Sequence, residues 1–306
     1  MNLFVIGNGF DLGHNLPTSY SDFRNYLKEN QGSFLWNFES KYYLEHKGSP
    51  NYLWKNFEFN LANINDIVLV EEMYQSTDLG LESGNIGIES TLLYHFSEEF
   101  KYIDELTLYL KEWIETVNHQ LLSINNIRTE LIASENEDIF ISFNYTNTLE
   151  HIYNISRDNI IYIHGSANSS DDLVLGHSDR DKINYFKEKY TEYQNTWDEQ
   201  SAPIYSSLAD YCSKTYKNTN NYIGQLSLLR FKDIECVIII GHSLGDVDLP
   251  YFEEIRDSVS SSTLWRVYYY DCSEIALFRD KLTQIGIDES VIEFISSNEF
   301  YRNEGV

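Results

Sequence analysis

Short, uninterrupted apolar runs constrain the fold of this chain more than any other feature. Asn2–Ile6 reads Asn-Leu-Phe-Val-Ile, and Cys236–Ile240 reads Cys-Val-Ile-Ile-Ile. Runs without polar alternation are typical of parallel strands that helices cover on both faces. Further strands are predicted at Ile139–Phe143, Ile160–Ile163, Leu173–Leu175, Leu264–Tyr270 and Val291–Ile295.

Helical patterns separate the last of these strands, around Leu249–Val259 and Ser273–Ile285. Alternation of strands and helices predicts an α/β fold with a doubly wound, Rossmann-like, mostly parallel sheet.

The stretch from about residue 21 to residue 137 has a different pattern, with apolar and aromatic residues at helical spacing. Within it, Gly80–Gly87 is predicted to be a loop, and a second loop-rich region is predicted at Asp179–Lys217. We therefore predict a single domain over 1–306, in which 21–137 is a helical insertion and 138–306 completes the α/β core.

Charge and cysteine content exclude several classes of protein. The chain has 306 residues, with 22 Lys+Arg against 48 Asp+Glu, a net charge of −26 at pH 7. Such a surface repels phosphate backbones, so we expect no nucleic-acid partner. The three cysteines are widely spaced and form no disulfide or zinc pattern. Without a secretory signal or an apolar run of about 18 residues, the chain is expected to be cytoplasmic and not membrane-bound.

A glycine-rich turn follows the first strand. Gly7, Gly9 and Gly13 stand in the order Gly-Asn-Gly-Phe-Asp-Leu-Gly, one residue longer than the usual dinucleotide fingerprint. Such a turn lets backbone N–H groups approach a phosphate closely, but a tight strand-to-helix turn would also explain the glycines.

Two later strands end in polar residues that suit catalysis. Asn144 follows Ile139–Phe143, and His164 follows Ile160–Ile163, at the sheet edge where open α/β folds bind ligands. A histidine there suits a general base, with His177 as the second choice. Alternatively, Asn144 is a turn or capping residue, and His164 satisfies backbone groups.

The segment Gly241–Gly245 reads Gly-His-Ser-Leu-Gly after a strand, which is the pattern of a serine-hydrolase nucleophile elbow. In that fold the histidine follows the serine, and no histidine follows Ser243. A serine hydrolase is therefore disfavoured.

Four motifs together resemble the AbiH family of bacteriophage abortive-infection proteins. They are the opening stretch Gly7–Phe23, then Phe143–Glu150, Ile163–Gly165 and Ile240–Asp248. The resemblance covers about residues 1–270 and implies an antiphage role.

The order of the motifs is also similar, more distantly, to Sir2-like antiphage proteins that bind NAD. That similarity implies Gly7 and Gly9 at the phosphates, Asn144 at the nicotinamide ribose and His164 as base, with Gly241 and Ser243 near the adenosine. The same motifs contribute three further candidate cofactor-binding residues, Asn8, Asp11 and Asp246.

The implied reaction is hydrolysis of the nicotinamide–ribose bond of NAD. This chain departs from the Sir2 pattern in reading Gly-Asn-Gly-Phe-Asp at the loop and in having Thr146 where an aspartate is usual. It also lacks a four-cysteine zinc site, so protein deacetylation is not expected and no metal is expected in the main hypothesis.

Two other classes of function remain open. Asp11, Asp246 and Asp248 could hold Mg²⁺ for a nucleotide phosphohydrolase or nuclease-like activity, although Asp246 could equally cap the helix before Pro250. The third hypothesis is a non-enzymatic sensor of a nucleotide or phage component. In it, the tyrosine-rich helical insertion binds a protein partner. Because a suicide enzyme must be quiet in healthy cells, we expect latent activity released by oligomerisation or a phage product.

Overall fold

Six parallel strands form one sheet in the order β3-β2-β1-β4-β5-β6. In this computed structural model the described residues are 1–42, 50–64, 71, 101–124, 127–133, 137–167, 173–198 and 201–301. The strands are β1 (Asn2–Ile6), β2 (Ile139–Ser142), β3 (Ile160–Tyr162), β4 (Cys236–Ile240), β5 (Leu264–Tyr269) and β6 (Ile292–Ser296). The predicted α/β class and parallel sheet are confirmed.

The described residues also form thirteen α-helices. They are α1 (Asn8–Gly13), α2 (Tyr20–Asn30), α3 (Gly32–Ser40), α4 (Pro50–Lys55), α5 (Phe57–Asn60), α6 (Tyr102–Leu121), α7 (Thr148–Tyr153), α8 (Arg180–Asn195), α9 (Ser201–Lys214), α10 (Asn220–Ile223), α11 (Leu249–Ser258), α12 (Ile275–Gln284) and α13 (Ser297–Phe300). None of these helices is both long and apolar enough to cross a membrane.

The chain forms two compact units. The first consists of Met1–Ser19, Lys111–Val174 and Asn218–Val306, and it contains the sheet; the second consists of Tyr20–Leu110 and Leu175–Lys217. The prediction of a single domain with an insertion at 21–137 is not tested by this division and stays a prediction.

In the first unit the central strands are buried on both faces, as their apolar sequences predict. Leu3 and Val5 of β1 point into a core with Val237 and Ile239 of β4. On the opposite face the ring of Phe4 stacks on that of Phe140, with centroids 5.0 Å apart. This double burial explains why β1 and β4 lack the alternation of a half-exposed strand.

The second unit has an aromatic core. The rings of Trp54 and Phe57 stack with centroids 4.5 Å apart. Glu39 accepts hydrogen bonds from Arg24 Nε at 2.6 Å and from Trp54 Nε1 at 2.7 Å. The charge of this largely buried carboxylate is therefore compensated.

Two sequence predictions about local structure are wrong. Asp179–Lys217 is not a loop region, because α8 and α9 occupy most of it; its many tyrosines and charges were mistaken for loop composition. Leu173–Leu175 is not a strand, because Val174 N–H donates to the carbonyl of His164, beyond the end of β3. The predicted loop Gly80–Gly87 lies outside the described residues.

Candidate active site

The candidate site is built where the strand order reverses, between β1 and β4. The loops after β1, β2, β3 and β4 all leave the carboxyl edge of the parallel sheet. An order of 3-2-1-4-5-6 places the ligand crevice of such sheets at this reversal, outside the carboxyl ends of the strands. The site residues named below all belong to the first unit, except His177.

The glycines of the first turn serve close packing between two backbone segments. The Gly9 N–H donates to the Gly241 carbonyl at 2.8 Å, and the Phe10 N–H donates to Gly7 at 2.9 Å. A Cβ atom on Gly7 would lie 2.5 Å from the Gly241 oxygen, and one on Gly241 would lie 2.2 Å from the Phe10 nitrogen. Close packing against the turn after β4 thus explains why glycine occupies positions 7 and 9. Phosphate binding by Gly7 and Gly9 stays a prediction.

Two other candidate residues of this turn also have protein partners. The side-chain amide of Asn8 donates to the Thr18 carbonyl at 2.9 Å. Asp11 is 1% exposed and accepts hydrogen bonds from the hydroxyls of Thr146 at 2.6 Å and Thr148 at 2.7 Å. Burial raises the Asp11 pKa from 3.8 to about 6, although the hydrogen bonds from Thr146, Thr148 and Asn144 oppose the shift.

Asn144 ties the loop after β2 to the loop after β1. Its side-chain amide donates to the Gly7 carbonyl at 3.1 Å, and it also hydrogen-bonds to Asp11. The side chain is 6% exposed. Asn144 therefore lies just beyond the carboxyl end of β2, as the sequence predicts, and it is held by two contacts with the segment after β1.

His164 lies at the end of β3 and is 3% exposed. Its Nδ1 lies 3.3 Å from the Phe143 carbonyl oxygen, so this nitrogen carries a proton. Its Nε2 lies 3.6 Å from Oδ1 of Asp248. The imidazole thus faces a carboxylate, which stabilises a proton gained at Nε2.

A second histidine, which the sequence analysis did not select, faces the same carboxylate. His242 Nε2 lies 3.5 Å from Oδ2 of Asp248. The centroid of the Phe143 ring lies 4.4 Å from that of the His242 ring and 5.2 Å from that of the His164 ring. We call His164, Asp248 and His242 the His-Asp-His cluster. Both His242 and Asp248 stand in the motif Ile240–Asp248. The polar residues that follow the buried strand in this motif were the signal available for finding them.

The remaining predicted residues have other surroundings. Ser243 is exposed. The next helix begins only at Leu249, and the left-handed residues of this turn are Gly241 and Leu244 and not Ser243, so the turn is not a nucleophile elbow. Asp246 has an 80% exposed side chain that pairs with Lys281, and it does not cap α11. His177 belongs to the second unit, where it is buried.

The three aspartates of the magnesium hypothesis each have separate partners. Asp11 binds two threonines, Asp246 pairs with Lys281, and Asp248 faces two histidines. Across the part of the chain that the structure describes, no group of three or more His, Cys, Asp or Glu side chains is arranged to hold a metal ion. No contact among the described residues favours the magnesium hypothesis over the acid–base one.

Comparison with known proteins bears on the biological role. The family model for bacteriophage abortive infection AbiH matches residues 3–269, most of the chain. No curated protein and no solved structure matches the chain. The motifs at the ends of β1, β2, β3 and β4 all lie within the matched range. The chain belongs to the AbiH family of bacteriophage abortive-infection proteins, which implies an antiphage role.

Proposed function

We propose that this abortive-infection protein binds a nucleotide and hydrolyses NAD at the nicotinamide–ribose bond, with His164 as the general base. The observation that carries the proposal is the pairing of His164 with Asp248 at the carboxyl edge of a sheet ordered 3-2-1-4-5-6. Sheets of this order bind dinucleotides at that edge, an argument from fold analogy. The His-Asp pair adds chemistry that the fold alone does not imply.

The reaction needs a positioned water and a proton acceptor. The bond between C1′ of the ribose and the nicotinamide nitrogen breaks, and its electron pair leaves with neutral nicotinamide. The water oxygen bonds to C1′ and gives one proton to His164 Nε2, leaving ADP-ribose. Asp248, 3.6 Å from that nitrogen, stabilises the resulting imidazolium. A general base of this kind contributes about 10²–10⁴-fold to the rate.

Asn144 would orient the ribose and the water through its amide. Its contacts with Gly7 and Asp11 restrict the rotation of the side chain, which reduces the entropy lost when substrate binds. Asn144 and His164 are both nearly inaccessible to solvent. This burial supports the expectation that activity is latent, because a substrate needs these side chains uncovered.

The test is chromatography of small molecules after incubation of the purified protein with NAD, NADP or ATP, with and without extract from phage-infected cells. We expect release of nicotinamide that falls at least 100-fold in His164→Ala and in Asn144→Ala. His151→Ala is the matched control, since His151 is an exposed histidine of the same unit.

Two outcomes would contradict the proposal. NAD that stays intact in every arm, with a protein that still protects cells from phage, would favour a sensor. Consumption of ATP that EDTA abolishes, with NAD untouched, would favour the metal-dependent phosphohydrolase.

A further inference from the structure

The hydrogen bonding of His242 fixes which of its nitrogens carries the proton. The Leu244 N–H donates to His242 Nδ1 at 3.0 Å, so Nδ1 is an acceptor and the proton of the neutral ring is on Nε2. Leu244 makes this contact from a left-handed conformation, with φ 51°, which is rare for a branched side chain. Unusual backbone conformations of this kind concentrate at functional sites.

The Nε2 proton of His242 faces Asp248, whose carboxylate does not cap the helix that follows it. Asp248 precedes α11 at the N-cap position, where aspartate usually accepts a hydrogen bond from the helix, yet its side chain makes no capping bond. Its Oδ2 lies 3.5 Å from His242 Nε2, and its Oδ1 lies 3.6 Å from His164 Nε2. The carboxylate therefore stands between two imidazoles instead of on the helix terminus.

We propose that His242 is a positioning residue, which holds the Asp248 carboxylate against His164 and so increases the proton affinity of His164. This inference rests on the proposed function for its catalytic consequence. The rings of Tyr145 and Tyr251 also lie beside His164, each with its centroid 6.2 Å from that of the imidazole. Asp248, with Oδ1 3.6 Å from His164 Nε2, supplies the negative charge that this positioning role requires.

Two substitutions separate the hydrogen bond of His242 with Leu244 from its contact with Asp248. In His242→Asn the amide oxygen can still accept from Leu244 N–H, but the side chain is too short to reach Asp248. In His242→Gln the longer side chain can place an amide N–H near the former Nε2, facing Asp248, while the bond from Leu244 is lost. If His242 acts on Asp248, Gln retains function and Asn does not; a purely structural role through Leu244 gives the reverse order.

The first readout needs no substrate. Imidazole resonances of His164 are followed by NMR from pH 5 to pH 9 in the full-length protein and in Asp248→Asn, His242→Asn and His242→Gln. We expect the midpoint for His164 to fall by about one pH unit in Asp248→Asn, and to fall in His242→Asn but not in His242→Gln. An unchanged midpoint in both Asp248→Asn and His242→Asn would overturn the inference.

The second readout is the pH profile of NAD hydrolysis, kcat/KM, under the conditions that release activity. We expect a loss of about 10- to 100-fold near pH 7 in His242→Asn, with its acidic limb displaced, and near wild-type values in His242→Gln. Midpoints that shift as expected in a protein that never consumes NAD would support the positioning role and reject the proposed function. Loss in both variants together with an unshifted His164 midpoint would count against the positioning role.

Discussion

At the scale of single residues, Asp11 and His14 show how burial shifts the pKa values of two side chains in opposite directions. Asp11 lies in α1, and His14 is the residue that follows this helix. Burial raises the Asp11 pKa from 3.8 to about 6. Burial also lowers the His14 pKa from 6.5 to about 4, although the Phe10 carbonyl, 2.7 Å from His14 Nδ1, opposes that shift. In both cases the folded protein disfavours the charged form, because little water remains to solvate it.

The two pKa shifts make the free energy of unfolding depend on pH in opposite directions. The raised Asp11 pKa gives a contribution that is complete below pH 3.8 and is lost as the pH rises through about 6. The lowered His14 pKa gives a contribution that is complete above pH 6.5 and is lost as the pH falls through about 4. Each is on the order of 3 kcal/mol at about 1.4 kcal/mol per pKa unit, so they largely cancel between pH 4 and pH 6.5.

The substitution Asp11→Asn should expose the His14 effect. An asparagine keeps an oxygen for the hydroxyl of Thr146 or Thr148 but does not titrate. We expect urea unfolding of the variant to show stability that rises with pH between 4 and 6.5, while the wild type changes little there. Parallel pH dependence in the two proteins would show that Asp11 titrates normally in the folded state.

At the scale of elements, the turn after β1 and the turn after β4 depend on each other through glycine. Gly241 has φ +68°, and an added Cβ would collide with backbone atoms of Gly9 and Phe10. Because backbone cannot move aside as a side chain can, the glycines at both turns are required for packing whether or not a nucleotide binds.

Substitution Gly241→Ala is expected to lower the free energy of unfolding by about 2–4 kcal/mol, since it combines a strained φ with a backbone collision. Gly224→Ala is the control, because no atom lies within 4 Å of its added Cβ and Gly224 has a helical φ of −55°. We expect the control to change stability by less than about 1 kcal/mol in either direction. Equal effects of the two substitutions in urea unfolding would contradict the packing argument.

At the scale of the whole molecule, the family places the protein in abortive infection. The proposed latency of its activity would let an uninfected cell grow normally while it carries the protein. Plasmid-borne wild type should reduce phage plating at least tenfold without slowing uninfected growth, whereas His164→Ala should lose protection and His151→Ala should keep it. Rapid loss of cellular NAD in uninfected cells would contradict the latency argument. Protection by His164→Ala equal to wild type would contradict the acid–base role of His164.

The net charge leads to a separate expectation. With 22 Lys+Arg against 48 Asp+Glu, we expect the chain to repel nucleic acid and to give no gel-shift of a 30-base-pair duplex or single strand at 150 mM salt and micromolar protein. Charge reversal of an exposed acidic residue such as Asp246 should not create binding. A salt-sensitive shift with the wild type would require a locally basic surface.

Much of the fold was predictable from the sequence, because local apolar runs determine which segments are buried strands. β1 and β4 have the predicted bounds, β2, β3 and β5 each end one residue earlier than predicted, and β6 is displaced by one residue at both ends. The helices α8 and α9 were missed because tyrosine-rich composition hides their apolar face. Asn144 and His164 were selected because each directly follows a predicted strand, and ligand-facing residues of parallel sheets occur there.

The sequence by itself determined the parallel α/β class, the family and the strand ends that carry Asn144 and His164, since these follow from patterns within a few residues of each other. Only the tertiary structure decided that Asp248 faces two histidines instead of capping α11, and that the turns of Gly7 and Gly241 pack too closely to admit a Cβ atom at either glycine. Residues far apart in the chain make these contacts. Their geometry depends on how the strands are ordered in the sheet, which no local pattern specifies.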